Sequence, residues 1–287
     1  MAKAKKDKNL KVKDIMNPDP VIAEIPGTRR DVLRLFGKHE ISGIPIVKAG
    51  TKKLGGIVTR SDIFNKINED QLALIMNNKP VTISPQDTIQ KAAQILHEYR
   101  IHGIPVVEKG ELVGVISPTD LLKYVTQADG REIKTYLSRL CAPVYEETPL
   151  PIVLKILCIT DAGALPVLDI NGNLVGVVTD GDLFSISHLK EGVAESDIGI
   201  GEDEDVWTWE GLRDIMRLYY ATSKMELPLV PVKEVMITDI ERVYQKSPSS
   251  SAAEKMLDKN VSQLPVVDNL GSLVGMIYDI DLMKTLF

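Results

Sequence analysis

One phrase occurs four times in this chain, and it limits the architecture more than any other feature. It reads GIVTRSD at 56–62, GVISPTD at 114–120, GVVTDGD at 176–182 and GMIYDID at 275–281. A proline-centred apolar run precedes each copy: SGIPIV at 42–47, HGIPVV at 102–107, GALPVL at 163–168 and SQLPVV at 262–267. Repetition of this kind marks a fold made by stacking one supersecondary unit. The prolines fall at 45, 105, 166 and 265, so an insertion separates the third unit from the fourth.

Each unit parses in the same way. PVTISP at 80–85 reads as a short extended segment. The following stretch carries Ile89, Ala92, Ala93 and Leu96 at helical spacing, with Asp87 or Thr88 placed to cap it. IPVV and LVGVIS are β-branched runs joined by EKGE, a hairpin signature. A second helix follows the aspartate, as in LLKYV, IFNKI, LFSI and LMKTL. The unit is therefore strand, helix, two strands, helix. It has too little apolar surface to bury alone, so it is expected to pair with its neighbour, giving pairs over about 10–130 and 131–287.

Two explanations compete for the recurring phrase. Ser or Thr followed three residues later by an acid is a helix-capping arrangement. Against a cap alone stand the aspartates, where a capping box favours the longer Glu or Gln, and a strand that passes into the helix with almost no loop. Such a junction opens free N–H groups and a hydroxyl toward a cleft, as an anion site requires.

The order h-P-h-h, turn, G-h-h-[ST]-x-x-D, helix resembles the cystathionine β-synthase (CBS) domain family. Four copies in one chain are similar to the gamma regulatory subunits of AMP-activated protein kinase. The resemblance implies an α+β fold of four CBS (βαββα) repeats, paired into two Bateman modules that form a disc-like assembly, with helices on the surface and sheets packed between them. The parts would be a basic flexible tail at 1–11, repeats at 12–67, 73–125 and 133–186, an acidic loop plus helical insertion at 187–231, and a fourth repeat at 232–287.

The resemblance further implies adenosine ligands in clefts between paired repeats. Asp62, Asp120, Asp182 and Asp281 would hold the ribose diol, while Thr59, Ser117 and Thr179 would face ribose or phosphate. Asp62 and Thr59 would face Val81, His102, Ile104 and Pro105. Asp120 and Ser117 would face Ile22, Ser42, Ile44 and Pro45. Asp182 and Thr179 would face Tyr244, Ser262, Leu264 and Pro265, and Asp281 would face Tyr145, Leu165 and Pro166. The apolar members of these sets would enclose adenine. His102 is implied as a basic phosphate contact, with Arg60 and Arg100 adding charge, so the Asp62 cleft is expected to take a phosphate; the alternative is a surface histidine at a strand start. Tyr278 departs from the pattern, and a phenol there could fill the phosphate region of the Asp281 cleft.

The insertion carries Glu202, Asp203, Glu204 and Asp205, which reads as an exposed acidic loop. Trp209, Leu212, Ile215, Met216 and Tyr219 then follow helical spacing. This helix is expected either to pack across the second module or to offer, over 202–220, a docking face for another protein.

Composition narrows the functional classes. A net charge of −6 argues against general nucleic-acid binding. The exception is MAKAKKDKNLKVK at the start, with six lysines, which reads as a solvated tail or a weak anion contact. Cys141 and Cys158 lack metal-ligand spacing and are expected to be reduced. No apolar run reaches the length of a bilayer span and no signal-peptide core is present, so a cytoplasmic protein without membrane partners is expected. The four histidines, at 39, 97, 102 and 188, and the absence of a P-loop or nucleophile elbow argue against an enzyme. The leading expectation is a non-catalytic sensor of AMP, ADP or ATP that needs no cofactor and no metal. The alternative is an interaction scaffold that binds S-adenosylmethionine, or nucleic acid through the tail. Self-association into a homo-oligomer is left open.

Overall fold

The computed structural model describes residues 10–39, 41–66, 68–128, 130–137, 141–197 and 217–287. The first repeat runs β1 (Ala23–Ile25), α1 (Arg29–His39), β2 (Gly43–Lys48), β3 (Leu54–Thr59) and α2 (Arg60–Asn65). After a short helix α3 (Leu72–Ile75), the second has α4 (Ile89–Tyr99), β4 (Ile104–Glu108), β5 (Glu111–Ile116) and α5 (Pro118–Val125). Its first strand is reduced to one parallel bridge between Ile83 and Val106. The third has β6 (Val144–Tyr145), α6 (Leu150–Thr160), β7 (Ala164–Leu168), β8 (Leu174–Thr179) and α7 (Asp180–Ile186). A hairpin of β9 (His188–Asp197) and β10 (Arg217–Glu226) precedes the fourth, which has β11 (Val243–Tyr244), α8 (Ser249–Lys259), β12 (Gln263–Val267), β13 (Leu273–Tyr278) and α9 (Asp279–Leu282). Within each repeat the first strand pairs parallel to the second and the second antiparallel to the third.

Local chemistry accounts for these elements. Thr88, rather than Asp87, caps α4, its hydroxyl accepting from Lys91 N at 3.3 Å. The β4–β5 hairpin turns at Lys109 and Gly110, with φ of 53° and 85°, the left-handed pair that a two-residue turn needs.

Neighbouring repeats are joined by an exchange of their leading segments. Asn17, ahead of β1 in the first repeat, bridges Val115 of the second, and Asn77, in the leading segment of the second, bridges Ile57 of the first. In the second module Ile237 bridges Val177 of the third repeat, while Ile133 N donates to Ser247 O of the fourth. This exchange explains the glycine that opens the recurring phrase. A Cβ on Gly56 would stand 2.5 Å from Asn77 O, and one on Gly114 would stand 2.7 Å from Asn17 O. The leading segment of the first repeat is docked on the second repeat: Val12 is fully buried in its core, and Leu10 O accepts from Ile89 N.

The apolar cores follow a different pairing from the one expected. One core joins the second repeat to the fourth, and another joins the first to the third. Leu121, Leu122 and Val125 of α5 share the former with Ala252, Ala253 and Met256 of α8. Phe36 and Phe64 meet Phe184 edge-on, at ring separations of 5.8 and 6.3 Å. Several helices thus lie between modules instead of on the surface, because each amphipathic helix carries an apolar stripe that its own small sheet leaves uncovered. Each fully buried Leu, Ile or Phe contributes about 1.5–3 kcal/mol, so docking of the modules is part of folding.

Of the helix expected over 209–219, only the last three residues are described, and these lie in a strand. Tyr219 lies in β10, paired with Glu195 of β9. Trp209, Leu212, Ile215, Met216 and the acids at 202–205 lie outside the described residues.

Candidate functional site

Three of the four strand-to-helix junctions repeat one geometry. Thr59 donates from its backbone N and from Oγ1 to Asp62 Oδ2, at 2.8 and 2.7 Å. Ser117 does the same to Asp120 Oδ2 at 2.8 and 2.7 Å, and Thr179 to Asp182 Oδ2 at 2.8 and 2.8 Å. The capping reading is therefore correct, and Asp is long enough because the cap residue is extended, as at Thr59 with φ −116° and ψ 167°. The cap uses one oxygen of each carboxylate. In these three half-buried aspartates Oδ1 makes no hydrogen bond to any described residue, so it remains an acceptor beside the cap hydroxyl.

The fourth junction differs. Tyr278 N donates to Asp281 Oδ2 at 3.1 Å, but the phenol turns away and donates to Ala164 O of the third repeat at 3.2 Å. Asp281 is 3% exposed, and its Oδ1 accepts from Arg100 Nη1 at 3.0 Å. Burial raises the pKa of Asp281 against the opposing effect of Arg100, and burial raises that of Tyr278 strongly.

Arg100 belongs to a set of three ionic contacts between the modules. Arg60 Nη1 lies 3.5 Å from Asp180 Oδ1, and His102 Nδ1 lies 3.6 Å from Asp279 Oδ1. All three pairs cross between modules: the first module supplies the cations and the second the carboxylates. A small recess of about 20 Å³ adjoins them, lined by Arg100, His102, Asp161, Gly163, Tyr278 and Ile280. Desolvation lowers the His102 pKa, but the hydrogen bond and charge of Asp279, together with Asp180, outweigh it and hold the value above 6.5. Burial raises the pKa of Asp180 despite the charges of Arg60 and His102.

A family model for the CBS domain matches residues 12–69, 72–127, 134–188 and 232–287. The chain belongs to the CBS domain family. Over 124 residues it is 36% identical to inosine-5'-monophosphate dehydrogenase of Korarchaeum cryptofilum, a match covering 42% of this chain and 25% of that enzyme. The chain thus spans about a quarter of the length of that curated relative. Two solved structures match over 97% of this chain and 100% of their own. One is an uncharacterized conserved protein from Pyrococcus horikoshii, 28% identical with a TM-score of 0.64. The other, from Methanocaldococcus jannaschii, is proposed to be an archaeal homolog of the gamma subunit of AMP-activated protein kinase; at 20% identity and a TM-score of 0.76, the likeness is one of fold.

Within this CBS protein the expected site residues separate into groups. Ile44, Ile104, Leu165 and Leu264 are core side chains of the two inter-module clusters, leaving only their backbones for a cleft. Pro45, Pro105, Pro166 and Pro265 are also buried. Strand register shows that the other adenine-facing residues do not correspond to one another. Ala23, Ile83, Val144 and Val243 are the matching inward positions, so Tyr145 and Tyr244 match each other, whereas Ile22 and Val81 stand one and two residues before the inward position. Ile22, Tyr145 and Tyr244 are exposed and Val81 is half-buried. Arg60 lies beside the Asp62 cap, while Arg100 is drawn to Asp281 and stacks near Tyr278, 5.9 Å from its ring centre.

Asp180 and Asp279 are functional candidates that the repeat pattern alone does not select. Each occupies the fifth position of its phrase, as Arg60 does in the first repeat. The opposite signs at matching positions were the available signal. Among the described residues no His, Cys, Asp and Glu cluster fits a metal ion, and no helix is long and apolar enough to cross a membrane.

Proposed function

We propose that this CBS protein is a non-catalytic sensor that binds adenosine nucleotides at the Asp62, Asp120 and Asp182 junctions and answers by changing how its modules, or a protein partner, dock. The observation that carries the reading is the second carboxylate oxygen at these three matching junctions, uncommitted among the described residues and next to a capped Ser or Thr. A carboxylate oxygen accepts from a ribose diol, and hydrogen bonds to a charged group contribute about 1.5–3 kcal/mol each. The closed Asp281 junction is read as a structural member of the set, which leaves three clefts for ligand.

The central cations favour ligands with few phosphates. Arg60, Arg100 and His102 each face a carboxylate already, so every added phosphate meets Asp180, Asp279 or Asp281 as well as a cation. AMP is accordingly placed ahead of ATP, and S-adenosylmethionine, which carries no phosphate, is the second reading. Isothermal titration of the full chain with AMP, ATP and S-adenosylmethionine tests this. Asp62→Asn, Asp120→Asn and Asp182→Asn keep a cap acceptor while replacing the free carboxylate oxygen. Each is expected to weaken one class of site by about tenfold or more. Unchanged binding in all three would overturn the reading.

A further inference from the structure

The contact between the modules holds cations that are engaged but incompletely satisfied. Arg60 stacks at 6.0 Å from the Phe184 ring, contacts Asp180 only at 3.5 Å, and its buried Nε has no hydrogen-bond partner among the described residues. A guanidinium presents a planar fork suited to two oxygens of one oxyanion, and Asp180 meets that fork at a single atom pair. His102 meets Asp279 at 3.6 Å with its side chain 36% exposed to the adjoining cavity, while Asp279 is almost completely buried. Gly181 permits this approach, because a Cβ there would stand 3.0 Å from Arg60 Nη1. Arg60 directly follows Thr59, whose hydroxyl shares the cap with Asp62, so the Arg60 guanidinium and the Asp62 junction belong to one end of one helix.

We propose that Asp180 and Asp279 are built-in competitors for phosphate: a nucleotide held at the Asp62 junction draws Arg60 and His102 away from these carboxylates and thereby loosens the contact between the two modules. The inference rests on the nucleotide reading above and adds the route by which occupancy becomes a change of shape. A ligand shifts a conformational equilibrium only through unequal affinity for its two states. Here the inequality arises because the same cations serve the ligand in one state and the opposite module in the other. The two uses are linked and reciprocal, so weakening the carboxylates strengthens the ligand.

The test is titration of the full chain with AMP, comparing the wild type with Asp180→Asn and Asp279→Asn, each checked for cooperative unfolding. Asp180 is part-exposed and its variant is the safer of the two; the Asp279 variant probes the buried partner. Removal of either competitor is expected to tighten AMP by about two- to fivefold, the range of a partly exposed ion pair. Hydrogen exchange at 277–282 is expected to speed up when AMP is added to the wild type. AMP binding with equal or weaker affinity in the folded variants, or unchanged or slower exchange at 277–282, overturns the competition and leaves the nucleotide reading standing. Absence of AMP binding in the wild type and both variants overturns both.

Discussion

Arg100 Nη1 and Asp281 Oδ1 stand 3.0 Å apart although they belong to different modules, one at the end of α4 and the other in α9. The Asp281 side chain is 4% exposed and that of Arg100 36%, so the pair is buried at one end and wet at the other. Removing the wet partner strands a carboxylate that burial already holds above its usual pKa.

Arg100→Ala is therefore expected to lower stability by about 1–3 kcal/mol, less than for a fully buried pair because water screens the arginine. Adding Asp281→Asn should restore part of the loss, since the stranded charge is then gone. Urea unfolding of the two single variants and the double variant measures the coupling; additive losses would show that the pair contributes nothing specific.

Gly56→Ala and Gly114→Ala are expected to cost about 1–3 kcal/mol each, because the new Cβ collides with an exchanged leading segment and one strand must move. Both collisions involve a backbone oxygen and a methionine sulfur, Met76 and Met16 respectively. Gly163→Ala is the control, as its nearest neighbour would be Tyr278 Cε1 at an ordinary 3.9 Å. Thermal unfolding of the three variants should separate the first two from the third.

Tyr278→Phe removes the hydrogen bond to Ala164 O and keeps the buried ring. The expected loss is about 1 kcal/mol. Tyr278→Ala empties the junction and is expected to cost about 3–5 kcal/mol. Equal losses in a denaturant titration would mean that the phenol hydroxyl, not the ring, closes the fourth junction.

Module docking should weaken with rising pH. The folded pKa of His102 is raised above 6.5, so its contribution is complete below about pH 6.5 and is lost as pH climbs through the folded value. The charged groups that bear on the imidazole are Asp279 of α9, Asp180 of α7 and Arg100, with Asp161 across the cavity. Asp180 is itself raised by burial, and its protonation on the acid side removes one of the attractive charges. Urea unfolding of wild type and His102→Gln should differ more at about pH 6 than at about pH 8.5; a constant difference would remove His102 from the linkage.

Much of the local architecture was legible because it is written in short-range chemistry. The βαββα order follows from β-branched runs, helical periodicity and turn residues such as Lys109 and Gly110. The Thr59–Asp62, Ser117–Asp120 and Thr179–Asp182 caps were equally readable, three residues apart. Strand register was harder: a shift of one residue turns a side chain to the opposite face, which separates Ile22 and Val81 from the positions of Tyr145 and Tyr244. The exchanged segments were missed although Met16, Met76 and Met236 carry a faint signal, each packing on a motif glycine.

The sequence by itself determined that four similar units exist, the order of elements in each, the capping pairs Thr59–Asp62, Ser117–Asp120 and Thr179–Asp182, and that Tyr278 breaks the pattern. Those features depend on neighbours a few residues apart, whose geometry the backbone fixes. Only the tertiary structure decided that the cores join first to third and second to fourth, and that Arg60, Arg100 and His102 meet Asp180, Asp281 and Asp279. Such contacts link residues distant in the chain, and any of the four nearly equivalent helix faces could satisfy another until packing selects the arrangement that buries them all.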